Sequence, residues 1–151
     1  MLRISPNFYY EEATVTAQRG LDNTPPMVVI PSLVMLFNEQ MESVRNLLGC
    51  PSHINSAFRS FEVNKAVGGA TNSQHVKGQA VDFVPMKEIG LKEAYDAIVA
   101  SGIVFDQLIY EYGSWLHISR PGFGEAPRAS KLMIGKWTEN KYLPYSTSNI
   151  P

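Results

Sequence analysis

The sequence predicts an α+β fold in which helices pack on one face of a small, mainly antiparallel sheet. Two observations support this prediction. Helical periodicity appears before and between short apolar segments, and the last two of these segments are joined by a tight turn. With 151 residues, of which 44% are hydrophobic and 18% charged, we expect one domain over residues 1–151 with a well-filled core.

Three segments have the spacing and the end signals of helices. The clearest is residues 31–50, PSLVMLFNEQMESVRNLLGC, in which apolar side chains recur at steps of three and four. Pro31 can begin this helix and Gly49 can end it. Shorter helices, each followed by glycine, are expected at 62–67 and 91–101. Their apolar sides should face the core.

Short apolar segments with turn residues between them are typical of strands. Strands are expected at 53–58, 79–84, 104–110 and 114–119. A turn at Tyr112-Gly113 should join the last two as a hairpin. The composition of residues 120–130, RPGFGEAPRAS, is typical of a mobile loop, and the final STSNIP is typical of a polar tail.

Composition excludes several classes of function. The net charge of −1 gives no electrostatic footprint for nucleic acid or for an anionic membrane, so neither is an expected partner. No apolar run is long enough for a membrane span, and the N-terminal segment lacks the apolar core of a signal peptide. Cys50 is the only cysteine, which excludes an internal disulfide and a zinc site built from several thiolates. A metal here would need histidine and carboxylate ligands.

Two short segments carry candidate metal ligands. In SQHVKGQAVDF, His75 precedes a turn and Asp82 lies in the following strand, with small Ala80 on the same face. In SWLHIS, His117 alternates with apolar residues. If the two strands pair, two imidazoles and one carboxylate converge; otherwise the histidines are hydrogen-bonded core residues. Zinc bound by such a set keeps an open position for water, which is the mark of a catalytic zinc.

The spacing of these residues resembles a known family. Ser73-x-His75-x-x-Gly78-x-Ala80-x-Asp82, followed by Trp115-x-His117, is similar to the motif of zinc peptidases with the hedgehog-like fold. That family includes D-Ala-D-Ala carboxypeptidases, vancomycin-resistance dipeptidases and phage L-Ala-D-Glu endolysins. SAFRS resembles its SGYRS segment, and RGLDNTPP resembles its small phage and bacterial branch. The resemblance covers roughly residues 8–119.

The resemblance implies roles for particular residues. His75, Asp82 and His117 would be the ligands of one zinc ion per chain. Arg59 would bind a substrate carbonyl or carboxylate and stabilise the oxyanion, a task that suits a planar guanidinium. Ser73 and Gln74 would line the site, although turn residues that bind local backbone would look the same.

The general base departs from the family pattern. Several members carry an acid three residues before the last histidine, where this sequence has Ser114. Glu111 lies six residues before His117, an even step that places both on one face of a regular strand. Glu111 is therefore the expected base, and Asp106 and Glu125 are weaker candidates. His53 is the remaining histidine, and we do not expect it to bind the metal.

The function implied is hydrolysis of a peptide bond in peptidoglycan stem peptides or cross-links by a zinc metallopeptidase. A phage or prophage-type endopeptidase is the first candidate, and a DD-carboxypeptidase or DD-dipeptidase is the alternative. A zinc-containing binding module of the same fold without catalysis is a further alternative. We expect a monomer that is made in the cytoplasm. It would reach peptidoglycan or muropeptides after lysis or as part of a phage particle.

Overall fold

The computed structural model describes residues 1–151 and confirms the α+β class. Its strands are β1 (Arg3–Ser5), β2 (Phe8–Tyr9), β3 (Ser52–Ser56), β4 (Ala80–Pro85), β5 (Gln107–Glu111), β6 (Trp115–Ser119), β7 (Ser130–Ile134) and β8 (Leu143–Pro144). Its helices are α1 (Tyr10–Ala13), α2 (Ile30–Met35), α3 (Glu42–Leu48), α4 (Phe61–Ala66) and α5 (Leu91–Ser101). None of the helices has the length and apolar composition that crossing a bilayer requires.

The helix expected at 31–50 is present with one irregularity. A π-helical segment, Leu36–Met41, joins α2 to α3 and is marked by a hydrogen bond from the Glu42 N–H to the Phe37 carbonyl. Leu36, Phe37 and Met41 are all fully buried. The extra residue in this turn adds to the apolar surface that the helical segment presents to the core.

Six strands form the central sheet in the order β3-β4-β6-β5-β7-β8, and β1 pairs with β2 separately. Every pairing in the central sheet is antiparallel except that of β5 with β7, which is parallel. This agrees with the expected mainly antiparallel sheet. The hairpin predicted around Tyr112-Gly113 connects β5 to β6.

The helices cover one face of this sheet. On that face Val81 and Phe83 of β4, Leu108 of β5 and Leu116 and Ile118 of β6 are fully buried. Helix α5 contacts all three strands, and the π-helical segment contacts β6. Because side chains alternate along a strand, the residues between these apolar ones project from the opposite face.

In the polar C-terminal segment STSNIP, one residue is buried while Thr147, Ser148 and Asn149 are exposed. Ile150 is buried in the hydrophobic core, which also includes Ile4 from the other end of the chain. Nearby, the Tyr145 ring stacks on Tyr95 of α5 at a centroid distance of 3.7 Å. A single apolar side chain in a polar segment has no periodicity, so pattern analysis could not detect this contact.

Gly78, in the turn between His75 and β4, is fixed by both backbone and packing. Its φ is +66°, in the left-handed region, and an added Cβ would lie 2.7 Å from the Val29 Cγ1 atom and 3.0 Å from the Leu33 Cγ atom. Gly49, which ends α3, has a similar φ of +65° but no atom within 4 Å of an added Cβ. Substitutions at these two glycines can therefore distinguish the cost of backbone strain from the cost of steric overlap.

Gly78→Ala is expected to lower the free energy of unfolding by roughly 2–4 kcal/mol, because strain and overpacking add. Gly49→Ala carries the strain alone and should cost about 1 kcal/mol. Urea unfolding of the two metal-free variants measures both losses. Equal losses would show that the 76–79 turn moves freely away from α2.

Candidate active site

The face of the sheet opposite the helices carries a row of polar side chains set by strand register. Asp82 of β4 pairs with His117 of β6, and His117 pairs with Ile109 of β5. Directly paired residues project from the same face, so Asp82 and His117 lie side by side, with 2.9 Å between Asp82 Oδ1 and His117 Nδ1. Glu111 follows two residues after Ile109 and projects from the same face.

His75 joins this row from the turn before β4. Its Nδ1 donates a hydrogen bond to the Ala57 carbonyl at 2.7 Å, and its Nε2 lies 3.3 Å from Asp82 Oδ1. The candidate ligand atoms of His75, Asp82 and His117 all lie within 4.8 Å of one another, and all three residues are buried. We refer to these three residues as the His–Asp–His cluster.

The second carboxylate oxygen of Asp82 is bound by Arg59. Arg59 Nη2 donates to Asp82 Oδ2 at 2.8 Å, and Arg59 Nε donates to Ser56 Oγ at 2.9 Å. Burial by itself would raise the pKa of Asp82, but the adjacent His75 and His117 rings outweigh burial and hold that pKa well below its usual range. Asp82 is therefore ionised at neutral pH and is a suitable metal ligand.

Glu111 lies beside the cluster with a largely buried carboxyl group. Its Oε1 is 3.9 Å from His117 Nδ1, and its side chain is 13% exposed. Burial and then the negative charge of Asp82 raise the pKa of Glu111 to about 7. A carboxyl group with that pKa can both accept and release a proton near neutral pH.

The other acids considered as bases lie elsewhere. The Asp106 carboxylate is buried and accepts hydrogen bonds from Gln74 and Arg128. Glu125 is exposed and accepts a hydrogen bond from the Gly122 N–H. Neither acid lines the cavity above the cluster, whereas Glu111 does.

The remaining histidine and the serine at the family's acid position are also outside the site. His53 is exposed on β3, and Ser114 is exposed at the β5–β6 turn. Ser114 Oγ donates to the Tyr112 carbonyl. Neither residue lines the cavity.

A cavity of about 460 Å³ lies over the His–Asp–His cluster. Arg59, Ser73 and Gln74, the residues that the sequence analysis assigned to substrate binding, line it. Two further lining residues, Arg128 and Tyr142, were not anticipated. Both follow the last recognisable motif, and neither stands in a periodic pattern, so only the fold brings them to the site.

The donor set fits a divalent metal ion with an open coordination position. In the metal-free protein His117 must carry a proton on Nδ1 to bind Asp82, since the carboxylate can only accept, and a metal would take that proton's place. The bond from His75 to Ala57 orients the other imidazole in the way typical of metal-ligating histidines. Two imidazoles and one carboxylate are the ligands of many catalytic zinc sites.

Fold and donor set together define a candidate metal centre with an acid beside it. The family model described as Peptidase M15 matches residues 6–119, and the chain therefore belongs to the M15 peptidase family. Peptidases of this family are zinc-dependent, and the His–Asp–His cluster can bind one metal ion. No curated protein matches the sequence significantly. The family match confirms the resemblance seen in the sequence motifs, at the level of the family.

The raised pKa of Glu111 predicts a pH dependence of stability in the metal-free protein. In the unfolded chain Glu111 loses its proton near the ordinary glutamate pKa of 4.5, but in the folded protein it keeps the proton until about pH 7. The free energy of unfolding should therefore fall as pH rises from about 4.5 to 7, by roughly 3 kcal/mol from this group.

Glu111→Gln should remove that loss, so that the variant is more stable than the parent at pH 8 but not at pH 4. Glu125→Gln, which changes an exposed acid, should follow the parent curve. Urea unfolding of chelator-treated protein at several pH values provides the measurement. Parallel curves for Glu111→Gln and the parent would mean that the carboxyl is not buried as described.

Proposed function

We propose that residues 1–151 form one zinc peptidase domain that hydrolyses a peptide bond in peptidoglycan stem peptides or cross-links. His75, Asp82 and His117 would bind a single zinc ion. The observation that carries the proposal is the convergence of this cluster and the Glu111 carboxyl in one cavity. Membership of the M15 family supports it independently.

Each residue of the site has a distinct task in this reaction. Bound zinc supplies Lewis-acid polarisation of the scissile carbonyl and lowers the pKa of water. Glu111 accepts a proton from the attacking water and passes it to the leaving amine, which suits a carboxyl group whose pKa is shifted towards neutrality. Arg59 fixes Asp82 and has further donors with which to bind the substrate carbonyl and the developing oxyanion.

Ser73 and Gln74 are proposed to contact the substrate from the turn above the cluster. Ser73 Oγ accepts from the His75 N–H at 3.3 Å, and Gln74 Nε2 donates to Asp106 Oδ2 at 2.9 Å. Both side chains line the cavity while these bonds hold the turn. They would therefore present a fixed polar wall to the peptide.

Within the family we favour a cell-wall endopeptidase of phage or prophage type. The similarity of RGLDNTPP to the small phage and bacterial branch supports this choice. Such a protein would act as a monomer on peptidoglycan or muropeptides, after lysis or as part of a phage particle. A DD-carboxypeptidase or DD-dipeptidase is the second candidate. Mass spectrometry of the products separates an endopeptidase from these alternatives, because an endopeptidase cuts within the peptide and releases fragments, whereas a carboxypeptidase or dipeptidase releases single residues.

The zinc assignment predicts that His117→Ala loses most of its metal. Removal of a ligand should lower zinc affinity at least as much as the roughly 10–100-fold that loss of an orienting partner costs. His53→Ala removes the exposed histidine of β3 and should keep about one zinc per chain. Metal analysis after gel filtration, with circular dichroism to check folding, gives the comparison. Equal zinc in both variants would refute the ligand set.

Catalysis by Glu111 predicts that Glu111→Gln binds zinc normally but cleaves peptidoglycan roughly 100-fold or more slowly, because the amide cannot take the proton. Glu125→Gln should cleave at the parent rate. Release of muropeptides from purified peptidoglycan measures both. A Glu111→Gln variant as active as the parent would remove the proposed base. If the zinc-loaded parent protein binds peptidoglycan but never cleaves it, the result would instead favour the non-catalytic binding module.

A further inference from the structure

Arg128 reaches the cavity from the loop between β6 and β7. Its side chain is 56% exposed, yet its guanidinium is held by one buried carboxylate. Arg128 Nε and Nη2 donate to Asp106 Oδ2 at 3.0 and 2.5 Å, and the Arg128 backbone N–H donates to Asp106 Oδ1 at 2.9 Å. An exposed arginine with three bonds to a buried acid has a defined position rather than a free one.

Asp106 is itself fixed by the fold. Its backbone N–H donates to the Ser119 carbonyl, and its own carbonyl accepts from the Ser130 N–H. Burial would raise the pKa of its carboxyl, but the bonds from Arg128 and Gln74 prevail and lower it, so the group is charged at neutral pH. Asp106 thus links the Arg128 loop to the sheet and to the turn that carries His75.

The bonds to Asp106 leave part of the Arg128 guanidinium free. A guanidinium has five N–H donors, and those of Nη1 and one of Nη2 are not needed for Asp106 Oδ2. Arg128 lines the same cavity as the His–Asp–His cluster. It can therefore bind Asp106 on one side and an acceptor in the cavity on the other.

Strand geometry places Arg128 relative to the site of cleavage. Gln107, Ile109 and Glu111 of β5 all line the cavity, and Ile109 is the residue paired with His117. Asp106, which holds Arg128, directly precedes Gln107 and lies three residues before Ile109, roughly 10 Å along the chain at 3.3 Å per residue. An extended peptide covers that distance in about three residues.

The charge of the cavity favours an anion at this point. Its charged lining residues other than the histidines are Arg59, Arg128, Asp82 and Glu111, and together with Asp106, which binds Arg128, their formal charges sum to −1. A divalent ion on the His–Asp–His cluster would make the cavity positive overall. A planar guanidinium with two adjacent free donors matches the geometry of a carboxylate.

We infer that Arg128, positioned by Asp106, binds a free carboxylate of the substrate within about three residues of the scissile bond and so makes the site selective for acidic peptides. This inference rests on the proposed peptidase function for its reaction. Recognition of the carboxylate does not itself require cleavage. The two can therefore be tested apart.

Binding is measured first, with the zinc-loaded Glu111→Gln protein and a stem pentapeptide that contains D-glutamate. Two further forms of the peptide are amidated, one at the D-glutamate α-carboxyl and one at the C-terminal carboxyl. Calorimetry should show that one of the amidated forms binds at least about 10-fold more weakly, as expected for loss of a charge-assisted pair. Adding the Arg128→Gln substitution should weaken binding of the unamidated peptide to the same level. It should also abolish the difference in affinity between the unamidated and amidated forms.

Lys131→Gln is the matched control, since it removes one positive charge from an exposed position on β7 that does not line the cavity. The Lys131→Gln variant should keep the full preference for the unamidated peptide. The inference is overturned if neither amidation weakens binding, or if Arg128→Gln keeps the preference.

Cleavage of the three peptides is measured second, with the zinc-loaded protein that retains Glu111. The same preference should appear mainly in KM, since the contact is made before the transition state. If peptides bind with the Arg128-dependent preference but are not cleaved, the peptidase proposal fails and the carboxylate site stands. If peptides are cleaved without that preference, the peptidase proposal stands and the carboxylate site fails.

Discussion

The buried carboxylate of Asp82 is the group on which the site depends. One oxygen lies within 3.3 Å of both histidine nitrogens and the other binds Arg59. A buried charge is costly unless it is paired and hydrogen-bonded, and each of these partners lowers that cost. The same contacts orient the carboxylate and the His117 ring, so the cluster is arranged before any metal binds. Removing one partner would leave the remaining charge in a poorly solvated position, which links the stability of this region to its ligand geometry.

The sheet allows this polar cluster to exist next to an apolar core. Along β4 the side chains alternate, so Val81 and Phe83 pack under the helices while Asp82 projects into the cavity. Pairing of β4 with β6 then fixes His117 opposite Asp82. A shift of one residue in this register would place the carboxylate in the core and an apolar side chain in the cavity. The packing of the core therefore determines the spacing of the candidate metal ligands.

Much of this arrangement could be predicted from the sequence, because it depends on local patterns. Helix α5 spans the predicted residues, and the strands that carry Asp82 and His117 lie within one or two residues of their expected bounds. Parity alone predicted that Glu111 faces the same side as His117, and the hairpin places it there. The pairing of β4 with β6 was only a condition in the sequence argument, since no local signal specifies which strands become neighbours. Arg128 and Tyr142 gave no signal, and Asp106 was considered only as a weaker base rather than as the partner of Arg128, because these contacts depend on loop positions and long-range packing. For the same reason the sequence did not indicate that Ile150, within the polar C-terminal segment, packs in the core.

The location of bound zinc tests the central claim most directly. Crystals of the zinc-loaded protein, measured on both sides of the zinc absorption edge, show the metal without assumptions about its ligands. We expect one anomalous peak per chain within bonding distance of His75 Nε2, Asp82 and His117 Nδ1, at the roughly 2.0–2.2 Å typical of zinc with nitrogen and oxygen ligands. The Glu111 carboxyl should lie within hydrogen-bond reach of the open position rather than on the metal. A peak bound by other residues, or zinc coordinated directly by Glu111, would contradict the site described here.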